Sequence, residues 1–339
     1  MLAENDLPAW VLRQFQKLVK EPAHAFLLSG PAGLNQFDLM MALAFAWLCD
    51  SPQGDGMACG HCESCHMLKA HTHPDLKVLL PQDLAITLNW DMAEPGSVDA
   101  DGKKGKPSRE IKTEALRNMI EFTQRTRARS RGQVVLIYPA ERMNQVSANT
   151  LLKTLEEPTG ETRFILATEN AQRLLPTIRS RCQTHLMLWP TEHEALSWLE
   201  LQGVQDAKMM LSAAGGRPAQ AVQLVEQGID AKRWAAIPMA LSKGDVSAFE
   251  GMTPSQMVDV SSKLCHDLLA VSLGASPRFF APDVLPFKVN RDTALTWSKE
   301  LMQASRVAEH PWNVPLYTQA LVGTAQKVLG GALRKRPHL

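Results

Sequence analysis

The chain has 339 residues, enough for two or three domains. Its 36 Lys+Arg against 35 Asp+Glu leave a net charge of +1, which excludes a protein that grips nucleic acid by bulk charge and excludes an acidic solvating chain. A hydrophobic content of 45% with 21% charged residues excludes disorder over most of the length. The longest apolar run, residues 39–49, is too short to span a bilayer, so no membrane partner is expected. Residues 1–8 carry acids and lack a charged-then-apolar signal pattern, so a cytoplasmic location is expected.

The first predicted strand, Ala25–Ser29, runs into Gly30-Pro31-Ala32-Gly33-Leu34-Asn35-Gln36-Phe37 and then a helix over Gln36–Leu48. That is where a phosphate-binding loop sits, with backbone amides and a helix N-terminus facing phosphates. A working loop needs Gly-Lys-Ser/Thr at its end, the lysine for the β/γ-phosphates and the hydroxyl for Mg²⁺. Here Asn35, Gln36 and Phe37 hold those positions after Gly30 and Gly33. The segment is either a plain strand-to-helix turn or a nucleotide site whose chemistry has been removed.

Cysteines follow at 49, 59, 62 and 65. Two-residue spacers let Cys59, Cys62 and Cys65 turn toward one centre, and with Cys49 they supply four thiolates for a closed tetrahedral structural zinc site over residues 49–65. An iron–sulfur run would place its fourth cysteine downstream with a proline after it. His61, His66, His71 and His73 are competing ligands that could replace Cys49 if it stays in its helix. A site closed by four sulfurs leaves no position for a catalytic water. Cys182 and Cys265 read as ordinary buried thiols.

Strand 76–80 comes next, then residues 94–109, rich in Gly, Pro, Asp, Ser and Lys, which read as a mobile surface insertion without assigned function. A helix is predicted over 111–127, with Ala115, Leu116, Met119, Ile120 and Thr123 on one face. It ends in Arg125, Arg127, Arg129 and Arg131, read as a solvated basic run, with a DNA-backbone or partner contact as the sharper alternative. Strand 134–137 should end in Mg²⁺-binding acids in an ATPase. It ends in Tyr138-Pro139, and the first acid, Glu141, comes later. Glu156 and Glu157 resemble a carboxylate pair, but adjacent helical residues point about 100° apart and cannot serve one centre. Strands 164–168 and 184–188 complete an α/β domain with a mainly parallel sheet at 1–188.

After Pro190 the strand signals stop. Thr191 and Glu194 form a capping box, and helices follow with a break at Gly215-Gly216 and turns near 251–254 and 276–277. Trp47, Trp189, Trp198 and Trp297 sit in apolar contexts and are expected in cores. Arg334-Lys335-Arg336 reads as a solvated end.

Four blocks carry a family resemblance: His24-Ala25-Phe26-Leu27-Leu28-Ser29-Gly30-Pro31, Asn149-Thr150-Leu151-Leu152-Lys153-Thr154-Leu155-Glu156-Glu157-Pro158, Phe164-Ile165-Leu166-Ala167-Thr168, and Leu175-Pro176-Thr177-Ile178-Arg179-Ser180-Arg181-Cys182. Together they resemble the clamp-loader branch of the AAA+ ATPases, as found in bacterial DNA polymerase III. The match is specific to about residue 190 and only general beyond. It implies an AAA+ module at 1–188, a helical lid at 189–229 and an all-α collar for oligomerisation at 230–339. It also implies partners: gamma/tau-type ATPase subunits, a delta subunit, and, through the complex, a sliding clamp and primed DNA.

In this family the arginine of the Ser-Arg-Cys motif reaches the ATP of the next subunit. That arginine is Arg181 here, acting in trans; the plain alternative is that Arg179 and Arg181 pair with surface acids. With no functional ATP site expected, the chain is then a non-hydrolysing subunit that lends an arginine finger during clamp loading. ATP-binding members often carry a lid arginine; here Gly215-Gly216-Arg217-Pro218 sets Arg217 one position off. The competing readings are an active AAA+ ATPase of the same fold and a zinc-stabilised DNA-binding protein.

Overall fold

The computed structural model describes residues 7–90, 107–129, 131–285, 289–308, 310 and 312–330. Residues 94–106 of the expected insertion and the basic tail at 334–336 lie outside the described residues. The chain divides into two units, Met1–Pro190 and Thr191–Leu339.

The first unit is built on five parallel strands, β1 (Ala25–Ser29), β2 (Leu76–Leu79), β3 (Gln133–Ile137), β4 (Thr162–Thr168) and β5 (Gln183–Leu186), in the order β2-β3-β4-β1-β5. The three central strands read as near-continuous apolar runs because both sheet faces are covered. Leu27, Val135, Ile137, Phe164 and Leu166 join one core with Leu116 and Met119 of helix Thr113–Gln124 and Leu151 and Leu155 of helix Gln145–Glu156. The other face carries helix Gln36–Leu48, buried along nearly its whole length, with Phe26 stacked on Trp47 at 6.0 Å. In chain order the helices are α1 (Ala9–Leu18), α2 (Gln36–Leu48), α3 (Glu63–Lys69), α4 (Gln82–Thr87), α5 (Thr113–Gln124), α6 (Gln145–Glu156) and α7 (Pro176–Arg179). The expected α/β class with a parallel sheet is what forms.

Boundaries differ for local reasons. The helix expected over 111–127 is shorter at both ends. Ile111 leaves it to make a parallel bridge with Met143, and Arg125 turns extended at ψ 150°. The last strand stops at Leu186, so Trp189 lies past the sheet edge and is 47% exposed rather than in a core.

The second unit is all helical: α8 (Glu192–Leu201), α9 (Ala207–Ala213), α10 (Pro218–Glu226), α11 (Ala231–Lys243), α12 (Pro254–Ser272), α13 (Arg291–Val307) and α14 (Val314–Gly330). Both halves of the Thr191–Glu194 capping box are made, and a second box joins Thr253 and Gln256. Gly215 and Gly216 break α9 from α10 at φ 66° and 84°, where a side chain would be strained. One apolar core runs from Leu199 and Met210 through Trp234 and Leu264 to Trp297 and Leu329. The boundary expected at 229/230 falls inside this shared core.

Candidate functional site

The loop between β1 and α2 occupies its own interior. The Gln36 amide nitrogen donates to Gly30 O at 2.9 Å and Pro31 O at 2.7 Å, and its oxygen accepts from Leu34 N at 3.3 Å. Gln36 is 1% exposed, so its neutral amide is buried where a phosphate loop keeps a solvated lysine. Asn35 takes a left-handed backbone at φ 62° and donates to Asp38 at 2.7 Å; burial pushes the Asp38 carboxyl up, and the Asn35 bond partly offsets it. A Cβ on Gly30 would stand 2.7 Å from Met187 Cβ, so only glycine fits beneath that side chain.

The two missing metal-ligand positions meet as rings. Phe37, in the hydroxyl position, packs on Tyr138, at the end of β3, with centroids 5.9 Å apart. Trp90 meets Phe37 edge-on at 6.1 Å and stacks on His71 at 3.8 Å. The Tyr138 hydroxyl donates to Glu169 at 2.9 Å; burial, and then the Glu169 charge, push that hydroxyl well above its usual range. Glu141 accepts from the backbone of Glu169 and Asn170.

Arg181 lies just past α7, which follows β4. Its Nη1 donates to Thr177 O at 2.8 Å and its Nη2 to the carboxylate of Glu156, the last residue of α6. The side chain remains 31% exposed. Among the described residues, the buried Nε atoms of Arg179 and Arg181 have no hydrogen-bond partner. Cys182 is buried, and burial pushes its thiol up to about 12, as suits an inert core residue. Arg217 stands at the position before α10 and donates from Nε to Ala214 O at 2.9 Å.

The four cysteines form one cluster. Cys49 leaves α2 at ψ 132° and turns toward the others. Sγ–Sγ distances are 3.5 Å for Cys49–Cys59, 3.8 Å for Cys49–Cys62 and 4.0 Å for Cys59–Cys65, and all four lie within 4.8 Å of one another. Four sulfurs at about 2.3 Å from a tetrahedral centre stand about 3.8 Å apart, so the cluster could hold a metal ion. Backbone N–H groups of Cys59, Cys62 and Cys65 point at the sulfurs of Cys49, Cys59 and Cys62, at 3.2, 3.4 and 3.4 Å. Burial opposes ionising Cys59, but N–H groups of His61 and Cys62 outweigh it and bring the thiol to about 6.

Three of the four competing histidines are engaged elsewhere: His61 on Cys59 O, His73 on the Ser64 hydroxyl and Asp75 N, and His71 on Trp90.

Arg129 binds this module, while Arg125, Arg127 and Arg131 of the run stay exposed as expected. Arg129 pairs with Asp50 at 3.1 Å, with Glu63, and with the Ser64 hydroxyl at 3.2 Å, while its backbone N–H and that of Ala128 bond Asp75. Arg131 reaches Asp50 O, and Arg127 pairs with Glu161 at 2.5 Å. Asp50 also accepts from Ser64. Burial opposes its charge, but the Ser64 and Arg129 bonds prevail and hold its carboxyl at about 2. Sequence reasoning missed Asp50, Ser64 and Trp90; pairing of Arg181 with a surface acid was its plain alternative, and Glu156 is that acid. Glu156 and Arg181 are 25 residues apart, and no spacing rule joins them.

The model of the family described as DNA polymerase III, delta subunit, matches residues 10–189, just over half the chain. The delta' subunit from Yersinia pestis is 30% identical over 76% of this chain and 70% of its own. The chain belongs to the DNA polymerase III delta' subunit family. The delta' subunit of Pseudomonas aeruginosa is 37% identical over 62% of this chain and 58% of its own length, so the chain spans about three fifths of that relative. A gamma subunit-related protein of Thermotoga maritima superposes with a TM-score of 0.47 at 15% identity, covering 93% of this chain and 98% of that one. Among the described residues of this delta' family member, no helix is long and apolar enough to cross a membrane.

Proposed function

We propose that the chain is a clamp-loader subunit of the DNA polymerase III holoenzyme that holds no ATP of its own and lends Arg181 to the nucleotide of a neighbouring ATPase subunit. The observation that carries this reading is the filled loop. The buried Gln36 amide bonds the loop carbonyls, and Phe37 and Tyr138 put rings in place of a hydroxyl and an acid. Nothing in residues 30–37 can neutralise a triphosphate. A guanidinium near solvent, by contrast, is permanently charged and forks onto phosphate oxygens. The chain by itself is then not an enzyme; the assembly is a DNA-directed nucleotidyltransferase.

Its partners are gamma/tau-type ATPase subunits and a delta subunit, with the sliding clamp and primed DNA reached through the complex in the cytoplasm. Residues 189–229 act as lid and 230–339 as collar. Cys49, Cys59, Cys62 and Cys65 hold a structural zinc ion, which fixes the segment after α2 and supplies no chemical step. The test is single-turnover hydrolysis in assembled complexes in which only the site beside this chain binds ATP. Arg181→Ala should slow it while assembly and ATP binding stay near normal. An unchanged rate would remove the finger assignment.

A further inference from the structure

We propose that Glu156 is a positioning residue for Arg181, fixing its guanidinium in the orientation that meets the neighbouring nucleotide. This rests on the assignment of Arg181 to that role. An arginine side chain has many rotamers to lose, and a charge that must find phosphate oxygens acts best when already oriented. Two bonds orient this one, from two elements: Thr177 O on α7 and the Glu156 carboxylate at the end of α6. The platform beneath is firm, because Leu155 and Ile178, beside the two anchors, are buried in the same core.

The bonds take one hydrogen from each terminal nitrogen. Each such nitrogen carries two, so one on each remains for phosphate oxygens. A carboxylate makes the shorter, charge-assisted bond, so Glu156 outdoes water as an anchor even though its side chain is 46% exposed. The arrangement thus holds the arginine without using up its fork.

The experiment uses assembled complexes with ATP confined to the site beside this chain, and reads single-turnover rate and ATP affinity separately. Glu156→Ala should slow hydrolysis about tenfold with affinity unchanged, since a misplaced group costs rate rather than binding. Glu156→Gln should recover only part of that loss, because an amide oxygen accepts the same bond without the charge that strengthens it. The double variant Glu156→Ala, Arg181→Ala should be no slower than Arg181→Ala alone, as expected of two residues acting as one unit. A rate unchanged or raised by Glu156→Ala, or losses that multiply in the double variant, would overturn the positioning role. If Arg181→Ala itself has no effect, the finger assignment has failed and the inference falls with it. If Arg181→Ala slows hydrolysis and Glu156→Ala does not, the inference alone has failed.

Discussion

Two turns at strand ends treat charge in opposite ways. At residues 30–37 the backbone of a phosphate loop is kept, but every polar group that would face a nucleotide is neutral or bonded inward, and Gln36 is buried. At Ser180-Arg181-Cys182 a permanent cation is kept near solvent, bonded on two sides. A buried lysine in the first turn would need an anion beside it at all times, whereas an amide is satisfied by the loop itself. The difference teaches how the proposed role divides: the inward turn is filled by its own amide, the outward cation stays near solvent, and the bonds that hold each turn are its own.

The largest expected effect breaks the outward half. Arginines supplied in trans are worth about 10³–10⁵ in GTPase rates. With several ATP sites in one assembly, Arg181→Ala should still cost about tenfold or more at the adjacent site. Arg181→Lys should recover only part, because an ammonium cannot fork onto two oxygens. Single-turnover rates check both.

The next effect separates stability from chemistry. Removing the metal, or Cys62→Ser, should lower the thermal midpoint of the first unit by the equivalent of about 3 kcal/mol or more, as loss of a structural metal does. Hydrolysis beside Arg181, measured below the melt, should hardly change. Elemental analysis should find about one zinc per chain.

Gln36→Ala sharpens the inward half. It leaves Gly30 O and Pro31 O without their shared donor, at a cost of about 1–3 kcal/mol in denaturant unfolding, and it should not create an ATP site. The smallest effect is a pH slope. Burial lowers the His73 pKa below its usual 6.5; the Asp75 charge opposes it, Arg129 adds to it and Asp50 opposes it more weakly. A group with a depressed folded pKa that must stay neutral contributes stability above the unfolded value, and loses it as pH falls from 6.5 toward the folded value. His73→Gln should flatten that part of the stability–pH curve relative to the parent chain.

The fold was largely legible because its signals are local. Apolar runs marked four of the five strands, whereas β5, expected buried, is a mostly exposed edge strand, and the Thr191–Glu194 box marked the first helix of the second unit. The cysteine cluster was legible from two-residue spacers, and only the exit of Cys49 from α2 decided between it and the histidines. What stayed hidden joins residues far apart in the chain. Arg129 reaches back to Asp50 and Glu63, Trp90 closes over Phe37, and Glu156 meets Arg181. Arg129 departs from an otherwise exposed run because alternate spacing says nothing about partners 65 or more residues away.

In the proposed role this chain offers charge to a neighbour's nucleotide while holding none of its own, and calorimetric titration of the full chain with Mg·ATP tests that most directly. No saturable heat is expected at micromolar ATP, for the parent chain or for Gln36→Lys, since Phe37 still lacks a hydroxyl and Tyr138-Pro139 still lacks an acid. Saturable, Mg²⁺-dependent binding to the parent chain would contradict it.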